Sequence, residues 1–311
     1  YTTIYSYDDA GNLIRVSDGT GSVIVSYTYD AAGKLIRKAV RNGAYTIYEY
    51  DLSGRLNKLK NYNKNDEILS RFEYQYDISG YPLILDVSEG RFQYDYDAIG
   101  QLIKVIYPDG HITQFSYDSA GNRCSMDENS SKTEYLANSM NQIVQAGPTV
   151  FSYDANGNLI QKNVKGNITT YQYDYENRLS TISSSEGSLV FTYDAFGNRI
   201  GKKVNDEQIW YSVDPLGMGD VLAEYNDKRS LIARYTHGLG LISKIDSGGK
   251  EYTYEFDAMG HTSEMIDSEN TIVNRYRYTP SGEYIIKLEG TENSFTFVGE
   301  SGVMDDCTGL Y

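Results

Sequence analysis

Along the chain, short apolar runs alternate with polar, Gly-rich interruptions at about ten-residue intervals, and no window sustains a helical period. Residues 5–29 show the unit. Tyr5 and Tyr7 lie two apart, so on a strand they share one face. Leu13, Ile14 and Val16 form a return run, and Val23, Val25 and Tyr27 lead into the next aromatic pair. This patterning predicts short antiparallel strands joined by hairpins, with alternate side chains on opposite faces.

The bends are spaced regularly. An aromatic–x–aromatic–Asp sequence occurs ten times, with its Asp at 8, 30, 51, 77, 97, 118, 154, 174, 194 and 257, and nine of the ten have Gly three residues later. The Asp carboxylate can accept the backbone N–H two residues on, and Gly supplies the positive φ that closes a type I turn with a bulge. The remaining unit has Asn177 at that position, the next-best residue for a left-handed backbone. A second, looser set of turns alternates with the first: Arg41-Asn42-Gly43, Asn63-Lys64-Asn65-Asp66, Pro108-Asp109-Gly110, Lys165-Gly166-Asn167 and Ser247-Gly248-Gly249. Five residues after the Asp, Leu stands in six of the ten units. The expected turn and ladder residues are therefore Tyr7, Asp8, Gly11 and Leu13; Tyr29, Asp30, Gly33 and Leu35; Tyr50, Asp51, Gly54 and Leu56; and Tyr193, Asp194 and Gly197.

A fixed period of this kind marks a tandem array in which each unit is stabilised by its neighbours. Equivalent Tyr and Leu positions should form rows across the sheet. An array of roughly 25 strands exceeds the ~10 that an open twisted sheet sustains without curling. At ~4.8 Å per strand its edge-to-edge run is on the order of 120 Å, enough to curve around a cavity. The expected fold is thus all-β, a spiralling curved sheet of tandem antiparallel hairpins, in preference to a flat sandwich.

Composition sharpens this picture. Tyr is used 31 times against 9 Phe and 1 Trp, and mean hydropathy is −0.51. Tyr tolerates one wet edge, which predicts a thin wall with solvent near both faces. The formal charge of −15 argues against a nucleic-acid partner, which calls for a basic stripe. No apolar run is long enough for a membrane-spanning helix. Cys124 and Cys307 are expected as two free, partly buried thiols in preference to a disulfide. The turn Asp residues lack the spacing of a calcium loop. His111, His237 and His261 have no metal-spaced partners, and no nucleophile or phosphate-cradling motif occurs. No catalytic residue, cofactor or metal is assigned, and no enzyme is expected. Asp214-Pro215-Leu216-Gly217 falls in register with the repeat and reads as another turn. Exposed Tyr rows near Asp and Asn leave a carbohydrate- or partner-binding surface as the alternative function.

Repeats of this form are the signature of YD-repeat (Rhs) proteins, which the chain resembles over nearly its whole length. Tyr235-Thr236-His237-Gly238-Leu239-Gly240-Leu241-Ile242 is similar to the start of the Rhs-associated core region. Asn274-Arg275-Tyr276-Arg277-Tyr278-Thr279-Pro280-Ser281-Gly282-Glu283 and Phe295-Thr296-Phe297-Val298-Gly299-Glu300 continue the likeness, and Thr308-Gly309-Leu310-Tyr311 matches its close. The resemblance implies a repeat array over 1–234 and a core-like region over 235–311, continuous with the same sheet. It further implies a segment of a secreted or cell-surface shell that encloses and helps deliver a C-terminal effector. Its partners would be that effector and flanking shell segments, with cell-surface glycans or proteins as further candidates. The self-cleavage carboxylates of toxin members would lie beyond Tyr311. Thr279 stands where the family has Asp, which suggests a specialised last turn. The chain starts inside a repeat, as an excised piece would.

Overall fold

The computed structural model describes residues 2–215 and 219–306. Its strands are β1 Thr3–Tyr7, β2 Leu13–Asp18, β3 Val23–Tyr29, β4 Leu35–Val40, β5 Tyr45–Tyr50, β6 Leu56–Tyr62 and β7 Ile68–Tyr76. Then come β8 Pro82–Val87, β9 Gly90–Tyr96, β10 Leu102–Ile106, β11 Ile112–Tyr117, β12 Arg123–Glu128, β13 Ser131–Ala137 and β14 Ile143–Ala146. They are followed by β15 Thr149–Tyr153, β16 Leu159–Val164, β17 Asn167–Tyr173, β18 Leu179–Ser184, β19 Gly187–Tyr193, β20 Arg199–Val204 and β21 Glu207–Val213. The last seven are β22 Val221–Asn226, β23 Leu231–Gly238, β24 Gly240–Asp246, β25 Glu251–Phe256, β26 Thr262–Asp267, β27 Ile272–Tyr278 and β28 Tyr284–Glu289. Each pairs antiparallel with the next, giving one open, curved 28-stranded sheet. The other regular element among the described residues is a 3-10 turn, Gly299–Ser301.

Local chemistry sets the hairpins. At Asp8 the backbone N–H donates to the Asn12 carbonyl at 3.0 Å, and the Gly11 N–H donates to the Asp8 carbonyl at 3.0 Å. Asp8 Oδ1 accepts from the N–H groups of Ala10 and Asn12. The same pattern recurs at Asp30, Asp51 and Asp194, each followed by a register shift that makes the bulge. Thr279 builds this turn too, its Oγ1 accepting from Ser281 and Glu283, so the turn suggested as specialised has ordinary geometry with a hydroxyl in place of the carboxylate. The turns on the opposite rim are not one looser class. Those at Asp18 and Asp246 repeat the Asp geometry, whereas Lys165 and Gly166 form a two-residue bend with φ of 52° and 95°.

Tyr is preferred over Phe at the second aromatic position for a specific reason. Its hydroxyl donates to the carbonyl that opens the preceding unit's return strand: Tyr29 to Leu13 at 2.7 Å, Tyr50 to Leu35 at 2.8 Å, Tyr193 to Leu179 at 2.8 Å. The residue four after the Asp then stacks on the next unit's ring, as Arg55 does on Tyr76 at 4.7 Å and Arg178 on Tyr193 at 4.8 Å. Leu13 is buried; Leu35 and Leu56 are half-buried in the same rows.

The sheet rolls so that its beginning overlaps its end. Lys38 pairs in register with Tyr27, so it lies on the aromatic face of β4, while Glu255 lies between Tyr254 and Phe256 and therefore points to the other face of β25. These two meet at 3.3 Å. The aromatic face of the first turn thus covers the back of the last strands. Adjacent Met265 and Ile266, both fully buried, enter different cores: Met265 joins Tyr254 and Phe295, and Ile266 joins Val16 and Val25. The expected thin wall holds over β13–β17, where Tyr171 alone is buried. At the overlap it is corrected: two layers enclose both an apolar core and buried polar groups, because curling brings distant stretches face to face.

Two variants test the hairpin chemistry. Gly33 sits at φ +79° with open space around a would-be Cβ, so Gly33→Val should cost about 1–3 kcal/mol through backbone strain alone. Gly33→Asn should cost clearly less, since Asn177 occupies the equivalent site at φ 58°. Tyr193→Phe should cost about 0.5–1.5 kcal/mol by leaving the Leu179 carbonyl unpaired. Urea midpoints of the three variants measure both effects.

Candidate functional site

The overlap seam gathers polar groups that are far apart in the chain. Glu255 is fully buried; its Oε2 accepts from Lys38 and from Thr46 Oγ1 at 3.1 Å. Asn61 Nδ2 donates to the Phe256 carbonyl at 3.1 Å, and Asn42 Nδ2 to Thr253 Oγ1 and the Asp267 carbonyl, each at 3.2 Å. Farther along, Arg277 bridges Glu89 at 2.8 Å and the fully buried Glu264 at 2.9 Å. At the other end, Tyr5 and Tyr27 clamp the His237–Leu239 bend through their hydroxyls. Glu255 Oε1 and Glu264 Oε2 are buried without a partner. Burial pushes the Glu255 carboxyl above its ordinary range, and the Lys38 ammonium opposes that shift.

After β28 the chain returns along the aromatic face of the last strands as a strap, residues 290–306. The Thr262 N–H and Oγ1 donate to the Thr296 and Phe295 carbonyls at 2.9 and 2.7 Å. Lys244 Nζ donates to the Glu292 carbonyl at 2.6 Å, and Tyr254 to Asn293 Oδ1 at 2.9 Å. Phe295 is fully buried against Tyr235, with ring centroids 5.0 Å apart. Asp306 ends the described strap, paired with Arg199 and, at 2.9 Å, with Lys202. Lys202 lies opposite Phe191, so Asp306 sits on the aromatic face of β20.

The turn at Asp257 meets both features and departs from its equivalents. Asp8 is held below the ordinary carboxylate range by the Asn12 side-chain amide, Asp51 by the Arg55 backbone N–H, and Asp194 by the Asn198 side chain. Asp257 accepts the Met259 and His261 N–H groups, yet lies beneath the first turn of the roll, and burial raises it to about 7. Instead of bonding the Asp carboxylate, the His261 ring accepts the Val298 N–H at Nδ1, 3.0 Å away, and burial lowers its pKa to about 4. Val298 is a β-branched residue at φ 51°, a strained conformation held by this contact.

The residues singled out from sequence do not converge. Tyr7, Asp8, Gly11 and Leu13; Tyr29, Asp30, Gly33 and Leu35; Tyr50, Asp51, Gly54 and Leu56; and Tyr193, Asp194 and Gly197 are distributed along one rim and its adjoining rows. Tyr7 is 59% exposed, and the other three tyrosines are half-buried with hydroxyls bonded to backbone. The ladder is therefore not the open stacking surface that the carbohydrate alternative expected. The Asp214 hairpin closes through Asp214 N–H to Asp220 carbonyl at 2.8 Å; Leu216 and Gly217 lie outside the described residues. Cys124 is a half-buried free thiol, and Cys307 lies outside the described residues. Among the described residues no group of three His, Cys, Asp or Glu could hold a metal ion, and no helix is long and apolar enough to cross a membrane. Sequence reasoning missed the seam and the strap. Their one sequence signal is Phe256, the single Phe among the ten second aromatics, at the unit that the roll covers.

A rolled strip of Asp-turn hairpins closed by a strap on its aromatic face defines a YD-repeat shell. The Teneurin YD-shell family model matches residues 82–311 and the RHS Repeat model residues 7–43. The chain belongs to the Teneurin YD-shell family. It is 30% identical to the tRNA3(Ser)-specific nuclease WapA of Bacillus spizizenii over all of this chain and 13% of that protein. It is 26% identical to mouse (Mus musculus) Teneurin-1 over 78% of this chain and 10% of that one. The chain thus spans about an eighth or less of these relatives. A TcdB2-TccC3 crystal structure superposes with a TM-score of 0.68 at 17% identity, over 99% of this chain and 19% of that one. The Photorhabdus luminescens Tc holotoxin pore gives 0.63 at 15%, over 100% and 19%. At these identities the likeness is one of fold.

Two predictions concern the seam. Lys38→Met leaves Glu255 buried without its counter-ion and should destabilise by about 3–5 kcal/mol, while Lys38→Met with Glu255→Leu should recover much of that; urea midpoints report both. The second concerns pH. Asp257, raised in the fold, contributes stability that is present at acid pH and lost as pH rises from about 4 to 7. His261, lowered in the fold, contributes stability that is lost as pH falls from about 6.5 to 4. The opposed slopes mask each other. Thermal midpoints against pH should fall on acidification in Asp257→Asn and fall on alkalinisation in His261→Gln, and parallel profiles would refute the assignment.

Proposed function

We propose that this chain is the closing segment of a secreted or cell-surface shell that encloses and helps deliver an effector following it in the native protein. The observation that carries this reading is the direction of the strap. It runs inward over the last strands and is pinned on the aromatic face at Asp306, so the chain heads along the inner wall at that point. Residues 1–234 act as the outer winding and 235–311 as the inner one that locks it; the division falls within β23, in a continuous sheet. The segment itself works as architecture, through turn Asp and Gly residues and Tyr and Leu rows, without chemistry of its own. That the Bacillus spizizenii relative is named a nuclease and one superposed structure is named a holotoxin pore supports an effector outside this segment.

The reading includes flanking shell segments as partners. On the Asp rim, turn tips carry Leu52, Ile78, Ile99, Met140, Tyr175 and Phe196, each at least 64% exposed. Turns on the opposite rim carry polar or small residues, such as Asn65, Asn129 and Asn205. A neighbouring segment of the shell would cover the apolar tips.

Limited proteolysis of the native full-length protein tests the proposal. Sequence downstream of Tyr311 should resist digestion in the intact protein and become susceptible when Arg199→Glu and Lys202→Glu release Asp306. Equal susceptibility in both forms would remove the enclosing role.

A further inference from the structure

A cavity of about 450 Å³ opens where the first turn of the roll passes β27 and β28. Its wall on the outer layer is aromatic. Phe92 and Tyr107 meet edge to face with centroids 5.6 Å apart, and His111 stacks on Tyr107 at 4.4 Å. Tyr284 and Ile286 supply the inner-layer wall. The size and mainly apolar lining match those of small-ligand sites.

The charges around it are one-sided. Four carboxylates line the cavity, from Glu89, Asp109, Glu128 and Glu283, against one guanidinium, from Arg277. That guanidinium is already shared between Glu89 and Glu264 at 2.8 and 2.9 Å. His111 Nε2 is engaged with Glu128 at 3.0 Å. Asp109, Glu128 and Glu283 come from three different bends of the roll, yet their charges converge on one phenol. Burial raises the Tyr107 hydroxyl's pKa, a hydrogen bond with Thr113 opposes that, and these three carboxylates add to the rise. An anion would meet like charge here. A bare metal ion does not fit either, since no three ligating groups among the described residues are close enough to hold one. What remains is a cation with an apolar body, attracted by the carboxylates and by the ring faces together.

We propose that this cavity binds a primary ammonium or guanidinium group carried on an aliphatic stem. The stem lies along Phe92, Tyr107 and Ile286, and the cationic head meets Asp109 and Glu283 at the mouth. Two sources present this chemistry, a free diamine and a Lys or Arg side chain of a polypeptide. The site needs the overlap of the two layers, so it is absent from either layer alone.

The test uses the 311-residue chain and calorimetric titration at low salt. The probes are 1,5-diaminopentane, Nα-acetyl-lysine methylamide and, as the neutral isostere, Nα-acetyl-norleucine methylamide. The cations should bind saturably and at least about tenfold more tightly than the norleucine amide, with affinity falling as salt rises. Asp109→Asn with Glu283→Gln alters two exposed turn residues and should leave the thermal midpoint unchanged while weakening cation binding about tenfold or more. Binding of the lysine amide identifies a side-chain ligand, and binding of the diamine alone identifies a free amine. No saturable binding, equal binding of the norleucine amide, or an unchanged affinity in the folded double variant would overturn the proposal.

Discussion

The tyrosine hydroxyl that reaches back to the preceding hairpin is the contact on which this architecture depends. A two-stranded hairpin is marginal alone, and an Asp turn fixes only its own bend. The Tyr29–Leu13 bond and its repeats tie each bend to the unit before it. The Arg or Lys four residues after the Asp adds a second tie by stacking on the next ring. Both ties act along one rim, next to the register shifts that the bulges introduce. A bulge increases local twist, and its repetition along one rim gives a strip that curls.

Curling has a consequence that no single unit encodes. Once the strip overlaps itself, side chains that face water elsewhere become interior. Lys38 and its partner carbonyl on Tyr254 lie 216 positions apart, and local sequence alone would place both Lys38 and Glu255 in water. The interior of the overlap is therefore partly ionic. Buried pairs of this kind contribute little net stability but penalise every misaligned arrangement. A slip of one hairpin along the seam would leave Glu255 buried without Lys38 and would part Arg277 from Glu89. The ion pairs thus set where the roll stops, while the apolar residues around Val25, Ile266 and Ile242 supply the adhesion.

This separation explains which parts of the structure were legible in the sequence. Strands, Asp turns and the curl follow from local spacing, and Asn177 in a Gly position declares the turn rule. The seam and the strap follow from contacts between distant stretches, for which the repeat has no periodic signal. Asp257 carries the same motif as Asp194, yet one is raised to about 7 by burial under a second layer and the other is lowered by the Asn198 side chain. The composition that suggested a thin, wet wall was an average over two regimes: β13–β17 fit it, and the overlap does not.

The strap covers what the roll of the sheet leaves open. A strand added in register would extend the sheet at β28 and leave the aromatic face of the last strands bare. The chain instead breaks register after Glu289, crosses those strands through Asn293, Phe295 and Thr296, and bends at the strained Val298 onto His261. Strain at that one residue persists because the contacts on either side over-determine it. The final described residue, Asp306, is held by two cations of β20 on the same face that the strap has just covered. Cover of the last strands and the anchoring of Asp306 are therefore produced by one segment, and a change that frees the strap alters both at once.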